Sequence, residues 1–274
     1  MAPPSYSEIA ELSAIATQVA SEAADLVFSA WRTRPEISKK QPKDLVTEWD
    51  VKSEQLILKR LGELAPYAIL AEESGLTGEA DSAAPRWVCD PIDGTTNFAH
   101  GHPIWCVSIG LMYRDEPLCG AVVSPTIRTT WSGYKGGGSK RNGDPVEVSR
   151  TAVLAEALLA TGFPPERDRA PYNNFESFER IKKRALAVRR CGSAAMDLCF
   201  VADGTYDGYW ERRVHVWDLA AAAAIQLAAG GRLTSLAGGP ARLEKGHVLG
   251  TNGMVHDELL ALLADLLEEN PANM

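Results

Sequence analysis

The apolar run Trp87-Val88-Cys89 passes directly into Asp90-Pro91-Ile92-Asp93 and then into Gly94-Thr95-Thr96-Asn97-Phe98. No other stretch constrains the chain as much. Three strand-forming residues mark a buried strand, and Pro91, with no N–H to offer a ladder, is expected to end regular pairing at Asp90. Two carboxylates flanking a Pro-Ile bend can turn to one side, as hard divalent cations require of oxygen ligands. A Gly-Thr-Thr step that opens a helix then presents free backbone N–H groups to an anion. Asp-Pro and Asp-Gly are also common turn dipeptides, so the string alone reads equally well as a plain loop.

A chain of 274 residues with 45% hydrophobic content has enough apolar side chain for a large core, as one domain or two closely packed ones. The formal charge of −8 argues against a nucleic-acid surface and fits acidic groups gathered around a cation. Five cysteines (Cys89, Cys106, Cys119, Cys191, Cys199) with no C-x-x-C pair read as buried thiols, which suits a reducing cytoplasm. The longest apolar run, Leu219 to Ile225, is too short to span a bilayer, and the N-terminus has no basic segment leading into an apolar one. No membrane anchor and no export are expected.

In chain order, Ser5-x-x-Glu8 reads as a capping box for a helix whose apolar positions recur up to Trp31. Residues 32–43, polar and with two prolines, read as a mobile loop or loose hairpin. Thr47 and Asp50 form a second capping pattern before the helical run through Leu64, so a helix cap is one reading of Asp50. Ala68 to Ala71 reads as a short buried strand that delivers Glu72 and Glu73 at its end. Residues 105–112, 118–123 and 129–134 read as strands of an antiparallel sheet, with tight turns at Gly136-Gly137-Gly138 and Asn142-Gly143. Beyond a boundary near 145–150, strands and helices alternate: a strand at 157–161, a helix over 172–186, strands at 188–191 and 206–210, helices from Ser193 and Trp217, and a strand at 232–235. Asp218 at the start of the last helix reads on its own as an N-terminal acid favoured by the dipole. The alanines at 220–224 let that helix approach another element closely.

The full string DPIDGTTNF resembles the signature of the inositol monophosphatase family of magnesium-dependent, lithium-sensitive phosphatases. Three further matches stand in the family's order: Asp44-Leu-Val-Thr-Glu-Trp-Asp50, Glu72-Glu73-Ser74 and Trp217-Asp218-Leu219-Ala220-Ala221. The resemblance implies an α+β, layered αβαβα sandwich, its N-terminal half (1–147) holding the antiparallel sheet and most metal ligands, its smaller α/β C-terminal half (148–274) contributing Asp218 and substrate contacts. It implies two or three Mg2+ held by Glu72, Asp90, the Ile92 carbonyl, Asp93 and Asp218, with Glu72, Thr95 and Asp50 positioning the attacking water. Asp93, Gly94, Thr95, Ala194, Glu211 and Asp218 are the implied phosphate and substrate contacts, and Lys39 a possible neighbour of the metals. The implied reaction is hydrolysis of inositol-1-phosphate by a homodimer. Histidinol-phosphate, fructose-1,6-bisphosphate and 3'-phosphoadenosine nucleotide phosphatases share the scaffold, and a regulatory binding protein is an alternative of another class. Two departures stand out: Ala71 replaces the usual glycine before Glu72, and Arg212 and Arg213 follow Glu211 where small or neutral residues are expected. Neighbouring arginines before a helix are expected on a solvated surface.

Overall fold

The computed structural model describes residues 3–33, 35–41, 44–78, 84–165, 167–168 and 173–263. Helix α1 (Tyr6–Phe28) leads to a hairpin of β1 (Ile37–Gln41) and β2 (Asp44–Thr47), then to α2 (Glu48–Leu64), β3 (Ala68–Ala71), β4 (Gly75–Thr77), β5 (Pro85–Asp93) and the single-turn α3 (Thr95–Ala99). Strands β6 (Cys106–Tyr113), β7 (Glu116–Ser124), β8 (Thr129–Tyr134), β9 (Gly138–Arg141) and β10 (Asp144–Val146) follow. The remainder alternates: β11 (Leu158–Thr161), α4 (Phe175–Lys182), β12 (Ala187–Arg189), α5 (Ala194–Ala202), β13 (Gly208–Arg212), α6 (Val216–Ala228), β14 (Arg232–Ser235), β15 (His247–Thr251) and α7 (His256–Leu263).

Two sheets organise the core. The larger has eight strands in the order β10-β9-β8-β7-β6-β5-β3-β4, and the smaller has five in the order β12-β11-β13-β15-β14. Helices α1 and α2 bury Ile9, Val19, Ala23, Ile57 and Leu61 against Trp87, Cys89, Ile109 and Leu111 on one face of the larger sheet. Its other face carries Val88, Met112, Val122 and Trp131, which pack on α5 and α6. The far side of those two helices meets the smaller sheet through Tyr209 and Val248, and α4 and α7 close that sheet from outside around Trp210, Leu249 and Leu259. The result is five layers, α, β, α, β, α, as the resemblance implies.

The central layer depends on missing side chains. A Cβ on Gly110 would lie 2.6 Å from the Ala221 nitrogen, and one on Gly120 would lie 2.3 Å from the Ala221 oxygen. Helix α6 therefore rests its alanine face directly on the backbones of β6 and β7, which larger residues on either side would prevent.

Several expectations change in detail. Strand β5 does not stop at Asp90. It runs on to Asp93, and Pro91 sits inside it at a register shift between Asp90 and Asp93. A proline with no N–H to donate is accommodated in an interior strand because the ladder skips it there. The first helix ends at Phe28 rather than Trp31. The helix expected over 172–186 is shorter, Phe175–Lys182, since Asn174 enters it from a left-handed conformation (φ 75°) and Leu186 beyond it is exposed. The strand placed at 206–210 lies at Gly208–Arg212, which puts Glu211 on a strand. All five cysteines are free thiols. No helix among the described residues is long and apolar enough to cross a membrane.

Candidate active site

Parallel pairing in the larger sheet brings the first two carboxylates together. Strands β3 and β5 align Ala71 with Cys89, so Glu72 and Asp90 leave the same end of adjacent strands side by side. The register shift at Pro91 then returns Asp93 to the ladder opposite Cys106. Asp218 arrives from the other half on the first turn of α6, where its Oδ2 accepts the His215 N–H at 3.0 Å. One oxygen from each of Asp90, Asp93 and Asp218 lies within 4.8 Å of the others.

Two like charges at such a distance repel by about 3 kcal/mol at an effective dielectric of about 20. Burial, the Glu72 charge and the neighbouring carboxylates push Asp90 well above the usual carboxylate range, and burial with Asp93 and Glu72 does the same to Asp218. Burial lifts Asp93 to about 6 against the opposing hydrogen bonds of Ser193 and Ala195. Among the described residues no lysine or arginine forms an ion pair with these three aspartates. Clustered, with two of its three members buried, and unpaired with protein cations among the described residues, an all-oxygen donor set of this kind fits a hard divalent ion.

Asp93 is also held from α5. Its Oδ2 accepts from Ser193 Oγ at 2.6 Å and from the Ala195 N–H at 2.8 Å, and Ala194 contributes a further backbone bond. Ser193 also caps α5 through Met196 N. The first turn of α5 thus uses its free amides on Asp93, and Ala194, implied as a substrate contact, spends its N–H there. Asn97 reinforces the joint by donating to the Ile104 and Cys191 carbonyls at 2.6 and 2.9 Å. Ser193→Ala is expected to cost about 1 to 2 kcal/mol in urea denaturation, with Ser193→Thr recovering at least half. A loss near zero would mean that the backbone amides hold Asp93 unaided.

Asp50 caps α2 and reaches Thr95 at once. Its Oδ2 accepts the Thr47 N–H and hydroxyl at 2.8 and 2.6 Å, while its Oδ1 accepts the Thr95 hydroxyl at 2.9 Å. Burial pushes its pKa up to about 6 despite those bonds. The Thr95 hydroxyl has one proton for two acceptors, Asp50 and the Ile92 carbonyl at 3.0 Å. Gly94 precedes α3 at φ 96°, where a Cβ would stand 3.0 Å from the Ile104 carbonyl, so only glycine leaves this turn unstrained.

Glu211 on β13 accepts the Tyr209 hydroxyl at 2.6 Å. Burial raises it to about 7, opposed by that bond and by the Arg190 charge. The expectation for its neighbours holds for only one of them: Arg213, just beyond the end of β13, is exposed, but Arg212, the last residue of that strand, is 5% exposed. The side chain of Lys39 lies outside the described residues. Glu54 went unnoticed in the sequence, although it stands one helical turn beyond Asp50; its carboxylate accepts the Glu73 and Ser74 N–H groups at 2.8 and 2.9 Å and fixes the turn after Glu72. Arg190 and Arg167 were also missed, and both line a cavity bounded by Gly94 and Thr95. No motif singles them out, since arginines in polar loops are usually solvated.

The family pattern described as "Inositol monophosphatase family" matches residues 8–271, nearly the whole chain. The chain belongs to the inositol monophosphatase family. An inositol-1-monophosphatase of Synechocystis sp. is 42% identical over 252 residues, covering 91% of this chain and 88% of that protein. A Nus factor SuhB of Pseudomonas aeruginosa is 36% identical over 255 residues, covering 91% and 94%. Among solved structures, the inositol monophosphatase from Anabaena superposes with a TM-score of 0.86 at 37% identity, covering 94% of this chain and 97% of that one. Membership places the chain in a phosphatase family that is metal-dependent and acts on small phosphate monoesters.

Proposed function

We propose that the protein is a Mg2+-dependent phosphomonoesterase that hydrolyses inositol-1-phosphate to inositol and phosphate. The observation that carries this reading is the cluster of buried Asp90 and Asp93 with half-buried Asp218, together with the Thr95–Asp50 pair. Asp90, Asp93, Asp218, Glu72 and the Ile92 carbonyl would hold the cations, and the oxygen-only set favours Mg2+ over zinc. When bound, the cations supply a lowered water pKa and neutralise charge developing on the phosphoryl and leaving oxygens. The chain's own groups do the rest. Asp50 fixes the Thr95 rotamer, so that the hydroxyl oxygen is positioned to take a proton from the attacking water as Thr95 passes its own to Asp50. The Gly94 and Thr95 amides face phosphate oxygens at the turn that only glycine can make. Glu211 accepts hydrogen bonds from ring hydroxyls.

Turnover of inositol-1-phosphate, histidinol phosphate, fructose-1,6-bisphosphate and 3'-phosphoadenosine 5'-phosphate with Mg2+ tests the reading, with inositol-1-phosphate expected to lead. Glu211→Gln is expected to lower kcat/KM for it by about 1 to 3 kcal/mol, with little change toward a generic ester such as p-nitrophenyl phosphate. An equal loss on both substrates would remove Glu211 from hydroxyl recognition. A regulatory binding role is the second reading, favoured by the P. aeruginosa relative named as a Nus factor; absence of turnover across the panel would select it. A homodimer is proposed on the resemblance alone, and sedimentation equilibrium checks it.

A further inference from the structure

Glu211 owes its place to a residue without a side chain. Strands β11 and β13 run parallel with Ala160 opposite Tyr209 and Thr161 opposite Trp210, so Gly162, one step past the end of β11, comes abreast of Glu211. A Cβ on Gly162 would fall 2.1 and 2.2 Å from the two carboxylate oxygens of Glu211. The carboxylate therefore occupies the volume that a side chain at position 162 would take. The backbone there is pinned: the Gly162 carbonyl accepts Asn174 Nδ2 at 2.7 Å, the Thr161 hydroxyl donates to the Trp210 carbonyl at 2.6 Å, and Asn174 Oδ1 accepts the Trp210 indole N–H at 3.0 Å. From its own strand, Tyr209, two residues before Glu211 and on the same face, donates its buried hydroxyl to Oε2 at 2.6 Å. Among the described residues nothing donates to Oε1. Freezing a long flexible side chain on binding costs affinity. Here the glutamate is frozen beforehand, with one oxygen left for a ligand.

We propose that Gly162 and Tyr209 are positioning residues that determine specificity: they hold Glu211 with Oε1 free to accept a hydroxyl of the alcohol portion of the substrate, so that the enzyme prefers polyol monophosphates to esters without a hydroxyl donor. The inference rests on the reading of Glu211 as the acceptor for ring hydroxyls, and extends it to two residues that act only through that carboxylate. A methyl group at 162 would meet the far end of a flexible side chain rather than backbone, so Gly162→Ala displaces the carboxylate and spares the fold. Tyr209→Phe adds no atom and removes only the tether on Oε2.

The ratio of kcat/KM for inositol-1-phosphate to that for p-nitrophenyl phosphate measures the preference. It is expected to fall at least about tenfold in Gly162→Ala and about three- to tenfold in Tyr209→Phe, in each case chiefly through KM for inositol-1-phosphate. Because both residues act through one carboxylate, Gly162→Ala/Glu211→Gln should lower the ratio no further than Glu211→Gln alone. A ratio that Glu211→Gln lowers but Gly162→Ala leaves unchanged overturns the positioning inference and keeps Glu211 as the acceptor. Losses that add in the double variant overturn it as well, since Gly162 would then act by another route. A ratio unchanged in every variant removes Glu211 from hydroxyl recognition and the positioning inference with it. Should Gly162→Ala not fold, Tyr209→Phe decides alone by the same ratio. If wild type turns over neither ester, the phosphatase reading fails; calorimetric affinity for inositol-1-phosphate relative to inorganic phosphate, with Ca2+ present, then decides, and a preference equal in wild type and Gly162→Ala overturns the inference.

Discussion

Asp93→Asn is expected to remove nearly all phosphatase activity, at least several hundredfold at saturating Mg2+, and to leave the fold intact or more stable when metal-free. The two halves of this expectation have separate causes. The amide oxygen can still accept from Ser193 Oγ and the Ala195 N–H, as Asp93 Oδ2 does at 2.6 and 2.8 Å. The substitution also removes one of the charges that repel Asp90 and Asp218. Losing an anionic cation ligand should cost about 4 kcal/mol or more of transition-state stabilisation. Circular dichroism melts in EDTA and turnover with Mg2+ check both halves. Retention of more than about a tenth of the wild-type rate, equivalent to about 1.4 kcal/mol, would refute the assignment of Asp93 as a ligand.

The second large effect is the dependence of metal-linked stability on pH. Asp50 and Asp93 are raised to about 6, and Asp90 and Asp218 stand well above the ordinary carboxylate range, all chiefly by burial. Groups raised in the folded state favour the protonated fold, so their contribution is complete below an ordinary carboxylate pKa of about 4 and is lost as pH rises through about 6 and beyond. Metal-free protein should therefore weaken from this source as pH rises from about 4 through about 6. A divalent cation binds the deprotonated cluster and reverses the loss, so protons and Mg2+ compete for the same site. At a thousandfold excess over Kd the ion contributes about 4 kcal/mol, roughly 8 to 16 °C in Tm for a chain of this size. Scanning calorimetry with Mg2+ and with EDTA should show that gain at pH 8 and a much smaller one at pH 5.5. Equal gains at both values would place the bound ion away from these carboxylates.

Much of the architecture was legible because it depends on local pattern. The capping boxes at Ser5 and Thr47, the apolar strand before Glu72 and the alanine run after Asp218 carry their conformations in their own residue types. The acidic ligand candidates were legible too, since each closes a strand or opens a helix within a recognisable string. The end of the strand at Asp90 was misjudged for the opposite reason. A proline excludes itself from an ordinary ladder, and only pairing with β6 shows that the sheet skips Pro91 and resumes at Asp93.

What tertiary structure alone decided are the relations between distant segments. That Glu72 stands beside Asp90 follows from parallel pairing of β3 with β5, and that Asp218 meets them follows from α6 lying bare on Gly110 and Gly120. The carboxylate of Glu54, the hold of α5 on Asp93, the burial of Arg212 and the position of Arg167 and Arg190 on a cavity wall leave no mark in their own neighbourhoods. Side-chain type is a property of the chain, so the sequence by itself determined which groups are able to bind a cation or an anion. Distance and burial are properties of packing between segments, and they decided which of those groups meet, which titrate out of their usual range, and which face the cavity.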